Sequence, residues 1–231
     1  MTNIHSSPLY DFHTHTFLSD GSLSPVELMR RASVNGYTAM AITDHAGVGT
    51  LERVLAELKK DCALASEHWD ITALPGVELT HVPARAIADT VKKARDLGAE
   101  IVIVHGETIV EPVEPGTNLA AARCKEVDII AHPGFLTVEE AEAAASSGIF
   151  IEVSARKGHS LANGHVVKVA ASVGASLVLN SDAHEPEDLL TREFARMVAR
   201  GAGISEEELK IVLVDNPRSL LKKLKTKRAH T

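Results

Sequence analysis

The chain has 231 residues, 45% of them apolar but only 3% aromatic, and a formal net charge of −7. That length can bury a sizeable aliphatic core and fits one α/β barrel, which often spans about 200–250 residues. The acidic balance disfavours nucleic-acid binding across the whole surface, and no run approaches the ~18 apolar residues of a membrane span. The opening residues Met1, Thr2, Asn3, Ile4 and His5 lack a signal-peptide pattern. Cys62 and Cys124 are too few for a disulfide framework and lack metal-site spacing, so two buried, reduced thiols in a cytoplasmic protein are expected.

Strand-length apolar runs then alternate with longer helical patterns. A strand at 9–13 ends in His13-Thr14-His15, and Asp20-Gly21 follows in a turn. A helix at 25–35 has Ser24 as its N-cap, Pro25 in the first position, Glu27 at N3 and Gly36 beyond its end. A strand at 38–43 runs into Asp44-His45, and a helix is expected near 50–67. The strand at 71–79 carries Glu78 near its end and precedes a helix at 84–97. The strand at 100–105 closes on His105-Gly106, before a helix at 117–125. The strand at 128–131 leads to His132-Pro133, before a helix at 137–147. The strand at 149–153 opens a polar loop through residue 160, before a helix at 163–173. The last strand, 176–180, leads to Asp182 and His184, and a helix at 187–200 follows. Gly98, Gly148 and Gly174 end helices in the manner of Gly36.

Seven strands alternating with helices predict a parallel sheet with right-handed crossovers. No linker divides the chain, so residues 1–231 read as one domain, with the motifs at 11–184 and closing helices with a basic tail at 187–231. Histidines and carboxylates fall at the end of strand after strand. In a closed barrel those ends share one rim, so groups far apart in sequence converge there, whereas an open sheet would spread them. A closed but small and distorted α/β barrel is therefore expected. Histidine with carboxylate suits zinc, manganese or iron better than magnesium or calcium. The nine candidates, His13, His15, Asp20, His45, Glu78, His105, His132, Asp182 and His184, exceed the needs of one tetrahedral ion. Two or three divalent ions close together suit phosphate ester hydrolysis. At a strand end, residues i and i+2 share a face, so His13 and His15 can reach one ion. Asp44 could orient an imidazole or cap a helix. His81 and Glu107 read as structural or surface, His165 as part of a helix start, and His5, His68 and His230 carry no constellation.

Asp11-Phe12-His13-Thr14-His15 with Ser19-Asp20-Gly21, Ile42-Thr43-Asp44-His45, Pro75-Gly76-Val77-Glu78, His105-Gly106, Ala131-His132-Pro133 and Ser181-Asp182-Ala183-His184 resemble the motifs of the PHP (polymerase and histidinol phosphatase) superfamily, over about residues 9 to 185. The resemblance implies a distorted (β/α)7 TIM-like barrel with a trinuclear centre. It implies that His13, His15, Glu78 and Asp182 hold a first ion, and that Glu78 bridges to a second ion bound by His105 and His132. Asp20, His45 and His184 would hold the third.

Residues 152–160 depart from the Asn-containing loops of polymerase-linked PHP domains. There Arg156 suits bidentate phosphate recognition, Lys157 suits point-charge attraction, and His159 could give a proton to a leaving alkoxide. Glu152 could cap or pair locally. The expected function is a metal-dependent phosphoesterase acting on a small phosphomonoester such as histidinol phosphate, with a water or hydroxide bridging two ions as nucleophile. Rival readings are a nuclease or nucleotide phosphatase, and a non-catalytic scaffold like the ribonuclease P protein subunit. The basic tail of Lys222, Lys223, Lys225, Lys227 and Arg228 allows nucleic acid, but the net charge and scarce aromatics oppose it. The tail itself is expected to be a solvated helix end. The sequence leaves oligomeric state open.

Overall fold

The computed structural model describes residues 7–228. His5, His230, the opening residues read above and the side chain of Arg228 lie outside the described residues. The strands are β1 (Tyr10–Asp11), β2 (Ala39–Ile42), β3 (His45–Ala46), β4 (Thr72–Leu79), β5 (Ile101–His105), β6 (Ile129–Ala131), β7 (Phe150–Ser154) and β8 (Leu177–Asn180). All pair in parallel, in the order β1-β2-β4-β5-β6-β7-β8. β3 continues the line of β2 along β4: Ile42 sits opposite Pro75 and His45 opposite Glu78. At the break between them, the Glu78 N–H donates to the carbonyls of Thr43 and Asp44 at 3.1 and 3.2 Å. The barrel thus has seven staves, one of them interrupted.

Closure between first and last staves is irregular. β1 is shorter than its apolar run because the Phe12 N–H turns to the Asn180 side chain, at 2.9 Å, and not to a neighbouring backbone carbonyl. Pairing resumes beyond it with a single bridge, Thr14 to Ala183, and bonds from the Asp182 N–H to the His13 carbonyl (2.9 Å) and the His15 N–H to the Ala183 carbonyl (2.8 Å). Side chains alternate across each stave with period two. Ile101 and Ile103 face inward, where Tyr10, Phe12, Leu74, Ile129, Phe150 and Val178 also pack, while Val102 and Val104 join the layer under the helices. Continuing the inward rows brings polar side chains at the C-terminal end: Glu78 above Leu74, His105 above Ile103, Glu152 above Phe150 and Asn180 above Val178. The interior is apolar low down and polar at the rim, which sets where chemistry can occur.

The helices are α1 (Pro25–Val34), α2 (Leu51–His68), α3 (Ile87–Asp96), α4 (Thr117–Arg123), α5 (Val138–Ser147), α6 (Asn163–Val173), α7 (Arg192–Gly201) and α8 (Asn216–Arg228). Ser24 caps α1 by accepting from the Glu27 N–H, and Thr137 with Glu140 forms a reciprocal capping box on α5. α2 buries Leu51, Val54, Leu55, Leu58, Cys62 and Ala65, the stripe of an amphipathic helix. Both cysteines are free; Cys62 is buried but Cys124 is half-buried, because it stands at the end of α4. The expected helix at 187–200 is split. A short 3-10 turn closes at Asp188, and α7 restarts where Thr191 accepts from the Phe194 N–H.

α8 changes the reading of the basic tail. Its Leu220 and Leu224 pack into the barrel interior and plug the end opposite the rim. Two of its lysines are held there. Lys223 donates to the Gly148 carbonyl at 2.9 Å, and the Lys227 ammonium lies 3.3 Å from Asp128, a buried carboxylate that also accepts from Arg95 and from the Val102 N–H. The tail is therefore part of the barrel floor and not simply a solvated end. Leu220→Ala should cost about 2–5 kcal/mol, the range for deleting a buried leucine side chain. Urea unfolding would measure it; a change below about 1 kcal/mol would mean that α8 does not seal the barrel. Among the described residues, no helix is long and apolar enough to cross a membrane.

Candidate metal centre

The structure gathers all nine candidate ligands on the rim. His13 and His15 follow β1. His13 Nε2 lies 3.3 Å from Glu78 Oε2, and His15 Nε2 lies 3.2 Å from Asp182 Oδ1. His132 Nε2 stands 3.4 Å from the other Glu78 oxygen. His45 Nδ1 is 2.7 Å from Glu78, and His184 Nε2 is 3.1 Å from Asp20 Oδ1. Three sets have their ligand atoms within 4.8 Å of one another: His13, His15 and Glu78; Glu78, His105 and His132; and His15, Asp20, His45 and His184. Asp182 joins His132 and His159 in a fourth set, and His13, His132 and Glu152 make a fifth.

Backbone geometry aims these groups. His132 and Asp182 have positive φ, 28° and 56°, a left-handed conformation that costs side-chain-bearing residues about 1–3 kcal/mol and clusters at functional sites. Gly21 lets the Asp20 turn fold against the rim: a Cβ there would meet the His15 carbonyl oxygen at 2.5 Å. Among the described residues, Asp44 has no hydrogen bond to an imidazole. It accepts from the N–H groups and hydroxyls of Thr16 and Ser19, so it pins the loop that carries Asp20. Asp11 accepts from the N–H groups of His13 and Ser181, tying the first ligand loop to the last, and burial pushes its carboxyl up to about 7. Glu107 accepts from the Gly116 and Asn118 N–H groups at the start of α4, a structural role.

The donor set fits a cation. Nε2 of His13, both nitrogens of His15, Oε1 of Glu78, Nδ1 of His132 and Oε1 of Glu152 are buried without a hydrogen-bond partner among the described residues. An unsatisfied buried polar atom costs about 1–3 kcal/mol, and a cation would satisfy the acceptors among them: His13 Nε2, one nitrogen of His15, Glu78 Oε1 and Glu152 Oε1. Burial alone would raise Glu78, but His13 and His45 hold its carboxyl well below the usual range. Burial would lower His45, yet Glu78 drives it up to about 9, while burial carries His15 down to about 3.

Residues 152–160 divide. Glu152 is fully buried in β7; its Oε2 lies 2.8 Å from His13 Nδ1 and accepts from the Asn180 amide, long-range contacts in place of local pairing. Arg156 turns inward, with Nη1 3.1 Å from the Asp182 carbonyl and 2.7 Å from His184 Nδ1. His159 is buried, with Nδ1 3.0 Å from Asp182 and Nε2 3.1 Å from Glu111. Lys157 is exposed, outside the convergent group. Sequence reasoning missed Glu111. Its carboxylate also reaches His105 Nε2 at 3.0 Å, and hydrogen bonding to His105, against a modest burial effect, holds it down to about 2. Its only sequence signal is its place in the loop after β5.

The model of the PHP domain family matches residues 11–110. Uncharacterized protein MJ1295 of Methanocaldococcus jannaschii is 47% identical over 216 residues, 93% of this chain and 99% of that protein. The chain belongs to the PHP family. This is a family of metal-dependent phosphoesterases and phosphatases. The chain is also similar to the probable phosphatase Teth514_1060 of Thermoanaerobacter sp. strain X514, 29% identical over 94% of this chain and 96% of that protein. Among solved structures, histidinol phosphate phosphatase from Lactococcus lactis, complexed with zinc, L-histidinol and phosphate, superposes with a TM-score of 0.60 at 15% identity, covering 87% of this chain and 95% of that one. At that identity the likeness is one of fold, and it agrees with the PHP barrel described above.

Proposed function

We propose that this PHP protein is a metal-dependent phosphatase of a small phosphomonoester, with residues 1–231 acting as one domain. The observation that carries the reading is the convergence of nine histidines and carboxylates, several with buried unpartnered atoms, on one rim. His13, His15, Glu78 and Asp182 would hold a first ion; Glu78, His105 and His132 a second; Asp20, His45 and His184 a third. Zinc, manganese or iron bound there would bring water's pKa towards neutrality and neutralise phosphoryl oxygens.

The protein's own groups do the remainder. A carbonyl can only accept, so His105 Nδ1, 3.1 Å from the Gly106 oxygen, carries its proton and leaves Nε2 facing the centre. Glu152 does the same for His13 from the other side. Arg156 would bind the phosphoryl oxygens through paired N–H donors, and Lys157 would draw the anion to the rim. His159, buried between Asp182 and Glu111, would give a proton to the leaving oxygen.

The zinc-, histidinol- and phosphate-containing neighbour makes histidinol phosphate one candidate substrate. The nuclease reading loses support from the position of the basic tail, since Lys223 and Lys227 lie against Asp128 at the far end of the barrel. A phosphate-release screen over histidinol phosphate, sugar phosphates, nucleotides and oligonucleotides tests the proposal. Metal-dependent release from a small monoester is expected. Cleavage of oligonucleotides alone would favour a nuclease, and no turnover by metal-loaded protein would favour a scaffold.

A further inference from the structure

We infer that Glu111 is a tenth metal ligand, closing the ion position formed by Glu78, His105 and His132. The inference rests on the metal-centre reading above. Those three residues offer three atoms, one short of a tetrahedral set. Glu111 is carried on the loop between β5 and α4 and has a side chain 38% exposed, yet its carboxylate points inward, with Oε2 3.0 Å from His105 Nε2. Because His105 Nδ1 donates to the Gly106 carbonyl, a neutral His105 presents a lone pair at Nε2. Without an ion this contact is a hydrogen bond; with one bound, that lone pair and the Glu111 oxygen would both face it. Two ligand atoms about 2.0–2.1 Å from one tetrahedral ion lie roughly 3.3 Å apart, close to the 3.0 Å between these two atoms. The His132 Nε2 to Glu78 Oε1 separation, 3.4 Å, has the same character. That Glu78 oxygen is buried and has no hydrogen-bond partner, an independent sign of an ion at this place.

The loop is built to deliver the carboxylate. Its base is clamped where Glu107 accepts from the Gly116 and Asn118 N–H groups, and where Glu114 accepts from the Ala84 N–H. Between these anchors Ile109, Val110 and Glu111 are exposed, and Glu111 alone of the three reaches the histidines. Its second oxygen contacts His159 Nε2 at 3.1 Å, so one oxygen stays on His159 while the other serves the ion.

Zinc titration of chelator-stripped protein against a competing chromophoric chelator tests this without reference to turnover. Glu111→Ala should weaken one equivalent of zinc by at least about 10-fold while the others keep wild-type affinity, the lower scale for loss of a group supporting a metal. Glu111→Gln should shift the same equivalent, and it carries the test if the alanine variant does not fold. Glu139→Gln, at a carboxylate paired with Arg123 on the outer helices, should bind zinc like wild type. Wild-type affinity for every equivalent in both Glu111 variants would overturn the inference, as would an equal loss in Glu139→Gln. A wild-type chain that binds no zinc at all would instead overturn the proposed function.

Discussion

Glu78→Gln is expected to lower phosphate release by about 1000-fold or more, equivalent to ~4 kcal/mol of transition-state stabilisation, and to remove more than one equivalent of metal. Asp20→Asn should do markedly less. Glu78 is fully buried, and its two oxygens stand among His13, His15, His45 and His132. An amide keeps the shape but lacks the charge that would hold two ions. Asp20 has a side chain 54% exposed and, among the described residues, pairs with His184 and His45. Paired kinetics and elemental analysis of the two variants decide the matter. Equal losses of activity and metal would contradict a bridging role for Glu78.

Arg156→Ala should reduce kcat/KM by about 10- to 1000-fold, the scale of losing one charge-stabilising contact, with metal content unchanged. The guanidinium offers donors only, so it cannot be a ligand. Its contact with His184 Nδ1 explains how it becomes available. Were His184 to give Nε2 to an ion, as proposed, its proton would sit on Nδ1, where the Asp182 carbonyl, 3.0 Å away, can accept it. Two donors would then oppose each other at 2.7 Å, leaving Arg156 its bond to the Asp182 carbonyl and a reason to turn its other N–H groups to an anion. Full activity in the variant would assign phosphate recognition elsewhere. Loss of metal would make Arg156 a support of the rim.

The barrel was legible because strand-length apolar runs and capping signals repeat with little interruption. Each stave's end was also legible, since a histidine or carboxylate there has little other reason to recur. What escaped depends on folding at a distance. Asp44 was read beside His45, its sequence neighbour, but its carboxylate reaches back to Thr16 and Ser19. Glu152 was read with its own loop, yet its partner His13 is 139 residues away. The path of the loop from Gly106 to Gly116, with prolines at 112 and 115, cannot be derived from periodicity, so Glu111 stayed hidden. Lys223 and Lys227 read as solvated charge because the burial of Asp128 depends on the closed barrel.

The most direct measurement is stepwise reconstitution of chelator-stripped protein with zinc, manganese or iron, following bound metal by elemental analysis and phosphate release in the same samples. Two or three equivalents should bind per chain, and activity should appear only once more than one is in place, because the proposed sharing of Glu78 would make the centre multinuclear. Saturation below one equivalent, or full activity in the stripped protein, would contradict the account.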